Sequence, residues 1–264
     1  MSAGYLLAGQ QGEFARLRLQ SQVWEPSGRG LLADLTAPQR ARAVDIGCGA
    51  MGWLRLLGEW VGPEGSVVGT DIDDRMIDAA RAFLTEERIG NVELVKDDLF
   101  ASQLPAGGFD LVHARFLIAP LGRADEQITA YRRLVRPGGW IVLEDPDTGS
   151  WWFEPEAPAC RRLIDLILRG FAAAGGDPDA GRRHFALLRG LGLAPWLRAA
   201  VVALPPGHPY LRHPLQFARS LRSQALVPEA ELDALVGEAE RELAAPDRWG
   251  MTFTLIQAWA RLDR

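Results

Sequence analysis

The chain has one lysine, Lys96, two cysteines and three tyrosines among its 264 residues. It also lacks any apolar run long enough to cross a bilayer, which needs about 20 residues; Leu163–Leu168 and Ala199–Leu204 fall far short. No basic stretch followed by an apolar one opens the N-terminus, so a cytoplasmic protein with no membrane partner is expected. Cys48 and Cys160 stand in unrelated contexts without CxxC spacing, which argues against a disulfide framework or a metal site. Positive charge is not in excess either. The formal net charge is −5, and such a surface repels phosphate backbones, so nucleic acid is not an expected partner. The shortage of lysine against many arginines reads as a compositional bias.

What is present is the balance of a globular enzyme: 48% hydrophobic and 24% charged residues. The length fits a single α/β domain over 1–264 better than two ordinary domains. Within it we expect an N-terminal helical cover over 1–36, a core over 40–148 and a helical lid insertion over 205–250. Phe14, Leu17, Val23 and Trp24 give the first segment a helical apolar face, which Pro26 and Gly28 are expected to break in two. Short apolar runs then alternate with amphipathic stretches. The runs are Ala43–Ile46, Ser66–Thr70, Val92–Val95, Phe109–Ala114 and Trp140–Leu143.

Met76, Ile77, Ala80, Phe83 and Leu84 mark a helix after Asp73, and Ile128, Tyr131, Leu134 and Val135 mark another that ends at Pro137-Gly138-Gly139. Alternation of this kind implies crossover connections and a parallel sheet covered on both faces, with ligands at the carboxyl ends of its strands. The C-terminal half predicts helices at 160–174 and 182–189, a strand at 196–204, two helices between 211 and 243, and a last strand at 252–262.

The first strand runs into Gly47-Cys48-Gly49-Ala50-Met51-Gly52, a GxGxxG loop that turns tightly and leaves a ligand room to approach. Alone it suits several nucleotides. Asp71, ending the next strand, can accept two ribose hydroxyls. Asp45, just before the loop, suits a cationic amino-acid tail and opposes a pyrophosphate, or else it anchors backbone amides of the turn. Asp98 can accept from an exocyclic adenine amine, with the backbone near Leu99 at the ring edge. Cys48 reads as a small residue that admits the cofactor, since no histidine adjoins it.

The ordered text VDIGCGAMG, VVGTDIDDRM, VELVKDDL, FDLVHARF and LVRPGGWIVLED resembles the class I (Rossmann-like) S-adenosylmethionine-dependent methyltransferases, especially those of quinone and natural-product biosynthesis. It covers about residues 40–148, and more loosely the N-terminal YLLAGQQGEFARLRLQ. The resemblance implies a three-layer fold with a mostly parallel seven-stranded sheet, an antiparallel last strand, N-terminal helices and a helical insertion before that strand. It implies S-adenosyl-L-methionine as cofactor, S-adenosyl-L-homocysteine as product and a small-molecule acceptor of O, N or C type, aromatic or a secondary metabolite; a homodimer is left open. By the same resemblance Gly47, Cys48 and Gly49 line the methionine part, Asp71, Ile72 and Met76 the ribose side, and Asp97, Asp98 and Leu99 the adenine. Ala114, Arg115 and Phe116 pass the sulfonium, and Tyr5, Arg16 and Gln20 cover the tail. Asp97 stands where many relatives carry Gly.

Methyl transfer from a sulfonium needs alignment and exclusion of water more than side-chain chemistry. His113, near the end of the fourth strand, is the candidate base, with a core histidine as the plain alternative. Glu144 and Asp147 are candidates to steer the acceptor, alongside Asp145, or are acids of a solvated loop. Trp151 and Trp152 are candidates for an aromatic wall. Two other readings compete: a nicotinamide-dependent oxidoreductase, and a non-methylating member of the fold that holds the cofactor during cyclisation or decarboxylation. Thermal denaturation separates the first of these. S-adenosylhomocysteine at about 100 times its Kd is expected to add about 2.7 kcal/mol and raise Tm, whereas NAD leaves it unmoved; the reverse pattern would reject the methyltransferase reading.

Overall fold

The computed structural model describes residues 12–222 and 224–263. Strands β1 (Arg42–Ile46), β2 (Ser66–Asp71), β3 (Val92–Lys96), β4 (Phe109–Arg115) and β5 (Val135–Asp147) follow one another through helices α1 (Glu13–Ala33), α2 (Leu54–Val61), α3 (Asp74–Glu86), α4 (Ile118–Leu121) and α5 (Ala124–Leu134). Beyond them come β6 (Trp152–Glu154), α6 (Pro158–Ala173), α7 (His184–Gly190), β7 (Trp196–Ala200), β8 (Ala203–Leu204), α8 (His213–Arg222), α9 (Glu229–Leu243), β9 (Trp249–Met251) and β10 (Thr254–Arg261). Seven strands form one sheet in the order β3-β2-β1-β4-β5-β10-β7, with β10 antiparallel to both neighbours. The order reverses between β1 and β4, and the crevice at their carboxyl ends is where an open α/β sheet receives a ligand.

Two-residue alternation along the strands divides the core. Ala43, Leu111, Val142 and Trp259 point to one face and meet Leu31, Trp53, Leu57 and Val61 of α1 and α2. Their chain neighbours Val44, Val112 and Ile141 point to the other and meet Ile128, Tyr131, Leu134 and Leu188 of α5 and α7. Covered on both faces, the central strands read as unbroken apolar runs, which is why they stand out in the sequence. Helix α3 starts where expected, because the Asp73 side chain accepts from the Arg75 amide at 3.0 Å. No helix of the described residues is long and apolar enough to cross a membrane.

Three sequence expectations are corrected. Pro26 and Gly28 do not divide the first helix: α1 runs unbroken for 21 residues with Pro26 inside it. Gly28 serves packing, since a Cβ there would lie 2.9 Å from Leu56 and from the Trp53 ring. Residues 144–147 belong to β5 and not to a loop after it, because β10 continues the ladder as far as Thr254 opposite Asp147. The expected strand at 196–204 divides into β7 and β8, and β8 joins β6 and β9 in a separate three-stranded sheet.

This small sheet, α6, α8 and α9 share a second core with Trp24, Leu163, Ile167, Phe217, Leu221 and Leu235, seated over the carboxyl end of the main sheet. Gly28→Leu is expected to force α1 and α2 apart and cost about 1–3 kcal/mol, read as a lower urea midpoint; an unchanged midpoint would show that the two helices do not need that approach.

Candidate active site

The tips of β1, β2, β3 and β4 meet around the glycine loop. Gly47 and Gly49 have φ of +62° and +55°, in the left-handed region, so the chain leaves β1 and turns under its own backbone. The loop is tied to β2: the Cys48 amide donates to Thr70 O at 2.8 Å and the Gly49 amide to Asp71 Oδ2 at 3.0 Å. Asp71 Oδ1 accepts from the Asp73 amide at 2.9 Å, which holds the carboxylate facing the loop. Burial raises the Asp71 carboxyl above its usual range, partly offset by these amides. Beside it Ile72 is 62% exposed, a large apolar side chain standing open at the strand tip, and Met76 is buried in the first turn of α3.

Asp98 at the end of β3 caps a short turn through the Phe100 amide at 3.0 Å, and Asp97 accepts from the Gln103 amide at 3.1 Å. Leu99 is half-buried behind them. Cys48 packs with Leu54, Ala80 and Leu84, and burial pushes its thiol well up. It is a packing residue of the loop.

Ala114 is buried, and Phe116, just beyond β4, holds φ +54°, a conformation costly for an aromatic residue and found where a site demands it. Its amide donates to Glu144 O at 2.7 Å. Phe116, Trp151, Ile167, Phe171, Phe217 and Phe253 line a cavity of about 620 Å³ counted with its open mouth, with Arg16, Gln20, Thr148 and His213 as its polar members. Phe253 stands edge-on to both Phe116 and Trp151, at 5.8 and 5.7 Å. Arg16, expected over the methionine tail together with Gln20, is ion-paired to Glu13 at 2.7 Å, bonded to Gln20 at 2.9 Å and set over the Phe217 ring. A second cavity of about 550 Å³, polar in character, lies beside Met51, Gly52, Ser21, Arg55 and Arg115. Arg115 Nη2 donates to Ser21 Oγ at 3.3 Å, and Nη1 is buried with no partner among the described residues.

Four acidic or basic candidates line neither cavity. His113 is wholly buried below the loop, its Nδ1 2.7 Å from Asp45 Oδ1 and its Nε2 3.2 Å from Glu144 Oε2. Trp53 stacks on the ring with centroids 3.8 Å apart. With both nitrogens committed and the face covered, His113 has no side turned to either cavity, so it is not placed to take a proton from an acceptor. Asp45 Oδ2 accepts from the Trp53 amide at 2.7 Å, and so anchors the turn, the second of the two roles its position allowed. Glu144 is likewise enclosed, accepting from Gln257 at 2.6 Å, because its position in β5 turns it toward α1 and α2.

Asp147 caps the turn at 148–150 through the Gly149 amide and accepts from Arg182 at 2.6 Å; the guanidinium holds its carboxyl below the usual range. Trp151 and Trp152 separate because neighbours in an extended chain point to opposite sides: Trp151 enters the cavity and Trp152 packs edge-on against Trp249. Tyr5 lies outside the described residues. Phe171, Phe217, Phe253 and His213 are not among the sequence candidates; helical spacing marks Phe171 and Phe217 only as apolar, and nothing local marks Phe253.

A glycine-lined turn, an open apolar side chain at the β2 tip, a ribose-type carboxylate and a buried guanidinium whose Nη1 has no partner among the described residues form a site that fits an adenosyl amino acid. The comparisons agree. Residues 43–139 match the family model described as "Methyltransferase domain". The chain is 35% identical over 169 residues to aklanonic acid methyltransferase DauC of Streptomyces sp. (strain C5), covering 64% of this chain and 76% of that one. It is 30% identical over 153 residues to demethylmenaquinone methyltransferase of Lactococcus lactis, covering 57% and 56%. Among solved structures, the YcgJ protein of Bacillus subtilis superposes with a TM-score of 0.61 at 14% identity, over 90% of this chain and 99% of that one.

The chain therefore belongs to the class I S-adenosylmethionine-dependent methyltransferase family. It is an enzyme of that class, with S-adenosylmethionine as cofactor and S-adenosylhomocysteine as its product.

Burial alone would lower the His113 pKa, but the Asp45 and Glu144 carboxylates together hold it above its ordinary value. Stability from the charged ring is then complete below about pH 6.5, the unfolded value, and is lost as pH rises through the folded one. His113→Gln is expected to cost about 3–5 kcal/mol at pH 6 and less at pH 9, by urea denaturation. A gap independent of pH would show the ring to be neutral.

Proposed function

We propose that this methyltransferase acts on a small, largely apolar, ring-containing acceptor held in the cavity between Phe116 and Trp151. One observation carries the reading: a cleft walled by aromatic side chains, about 620 Å³ counted with its open mouth, lies beside the strained Phe116 at the β4 tip. Aromatic walls favour a flat apolar ligand through burial and ring contacts. The relatives' printed acceptors, aklanonic acid and demethylmenaquinone, and the name nocamycin O-methyltransferase of a further relative from Saccharothrix syringae, accord with a small-molecule substrate.

In this reading Gly47, Cys48 and Gly49 take the methionine part of the cofactor, and Arg115 Nη1 receives its carboxylate. Asp71 holds the ribose, with Ile72 and Met76 beside it, and Asp98 and Leu99 hold the adenine, Asp97 supporting their turn. Bound there, the cofactor supplies a methyl group already activated by the sulfonium. Ala114 and Phe116 fix the approach, and the aromatic wall excludes water. Helices α8 and α9, with α1, act as the lid: they carry His213 and Phe217 on one side of the cavity and Arg16 and Gln20 on the other.

Trp151→Ala tests this assignment. With the best substrate from a panel of phenols, quinols and aliphatic amines, KM is expected to rise about tenfold or more, the loss of a large buried aromatic contact, while calorimetric affinity for S-adenosylhomocysteine stays within about twofold. Equal losses in both would move Trp151 to the cofactor site and refute the cavity as the acceptor's.

A further inference from the structure

The acceptor cavity contains one imidazole, and its chemistry is set by its neighbours. His213 opens α8 and is 2% exposed. Its ring is fixed on three sides: stacked on Tyr210 at 4.3 Å and 18°, edge-on to Phe217 at 5.0 Å, and near Trp151 at 6.0 Å. Nδ1 lies 3.0 Å from Gln216 Oε1. An amide oxygen can only accept, so Nδ1 carries the ring proton and Nε2 is left as a lone pair. No donor among the described residues meets Nε2. Nε2 is thus an acceptor open to the cavity that His213 lines, where a ligand's donor can reach it.

We propose that His213 Nε2 receives a hydroxyl of the methyl acceptor, and so makes this chain selective for acceptors that carry a phenolic or enolic hydroxyl. The proposal rests on the cavity being the acceptor's.

The groups around the imidazole decide what it can do: Glu13 pairs with the cation near it. Arg16, from α1, is the cation facing the imidazole; Tyr210, Gln216, Phe217 and Trp151 are uncharged. Burial, and then Arg16, hold the imidazole down to about 3, so the ring stays neutral and remains an acceptor at any working pH. His213 therefore positions the hydroxyl and does not store its proton. A phenolic or enolic O–H is a stronger donor to that lone pair than an amine N–H, and the Arg16–Glu13 ion pair beside it adds no net charge. A ring that merely filled space would need neither the fixed tautomer nor the open Nε2.

Binding of 2-naphthol, 2-naphthylamine and naphthalene to the full chain, loaded with S-adenosylhomocysteine and followed by tryptophan quenching, tests this. Wild type is expected to prefer the naphthol over naphthalene by about tenfold, the ordinary worth of one good hydrogen bond. His213→Phe keeps the stacking and should bring that preference to within about twofold while leaving the affinity for S-adenosylhomocysteine unchanged. His213→Gln, which restores an acceptor, should recover part of it. A hydroxyl preference that survives in the Phe variant, or a wild type that prefers the amine, overturns the role of His213 alone. If wild type binds S-adenosylhomocysteine but none of the three probes, both this proposal and the acceptor assignment of the cavity fall; if it takes up no S-adenosylhomocysteine, the site reading itself fails.

Discussion

Beneath the glycine loop, a buried imidazole sits between two carboxylates from different strands, and the site above is built around that arrangement. Asp45 and His113 are register partners across β1 and β4, and Glu144 and Gln257 are partners across β5 and β10. Their side chains all emerge on the face covered by α1 and α2, where Trp53 stacks on the imidazole and gives its amide to Asp45. Arg115 Nε, 3.9 Å from Glu144, brings a positive charge to the cluster. A slip of one residue in any of these strands would send His113 or a carboxylate to the opposite face and leave its partners charged and dry. The network adds little net stability over an apolar core of the same shape, but breaking one member strands the others, which makes the register all-or-none.

That register has consequences at the strand tips. With β1 and β4 locked side by side, Gly47 and Phe116 leave the sheet at one level, and the Phe116 amide bonds to Glu144 O of β5. The strain in Phe116 is sustained because the neighbouring strands allow it no other exit. The loop, Asp71 and the aromatic cavity are thereby held in one place by residues that touch neither cavity. Rigid support of this sort suits a reaction in which alignment supplies most of the rate.

The upper half follows a different logic. The sheet of β6, β8 and β9, with α6, α8 and α9, has an apolar core of its own, and it roofs the strand tips with aromatic side chains. Its polar members are few and each is tied: Arg16 to Glu13 and Gln20, Thr148 to Asp179, His213 through Nδ1 to Gln216. Specificity in such a cavity comes from which polar atom is left open, since the apolar wall discriminates by shape alone.

Much of the lower half was legible in the chain because its signals are local. Central strands buried on both faces read as apolar runs, Asp73 caps its own helix, and the glycine loop needs residues whose backbone can turn with positive φ. The ordered motifs around Asp71 and Asp98 add what chemistry the strand tips hold. Residues whose meaning is a partner far along the chain were not legible. Gly28 looked like a helix breaker until Trp53 lay against it. Glu144 reads as an acceptor-steering group or a loop acid until β10 extends the ladder, and His113 as a base or a core histidine until Asp45 and Glu144 close on it from 68 and 31 residues away. Backbone propensity and periodicity are properties of neighbours in sequence, and the sequence carries them in full. Burial, protonation and the emptiness of a cavity are sums over neighbours in space, and only the folded chain sets them.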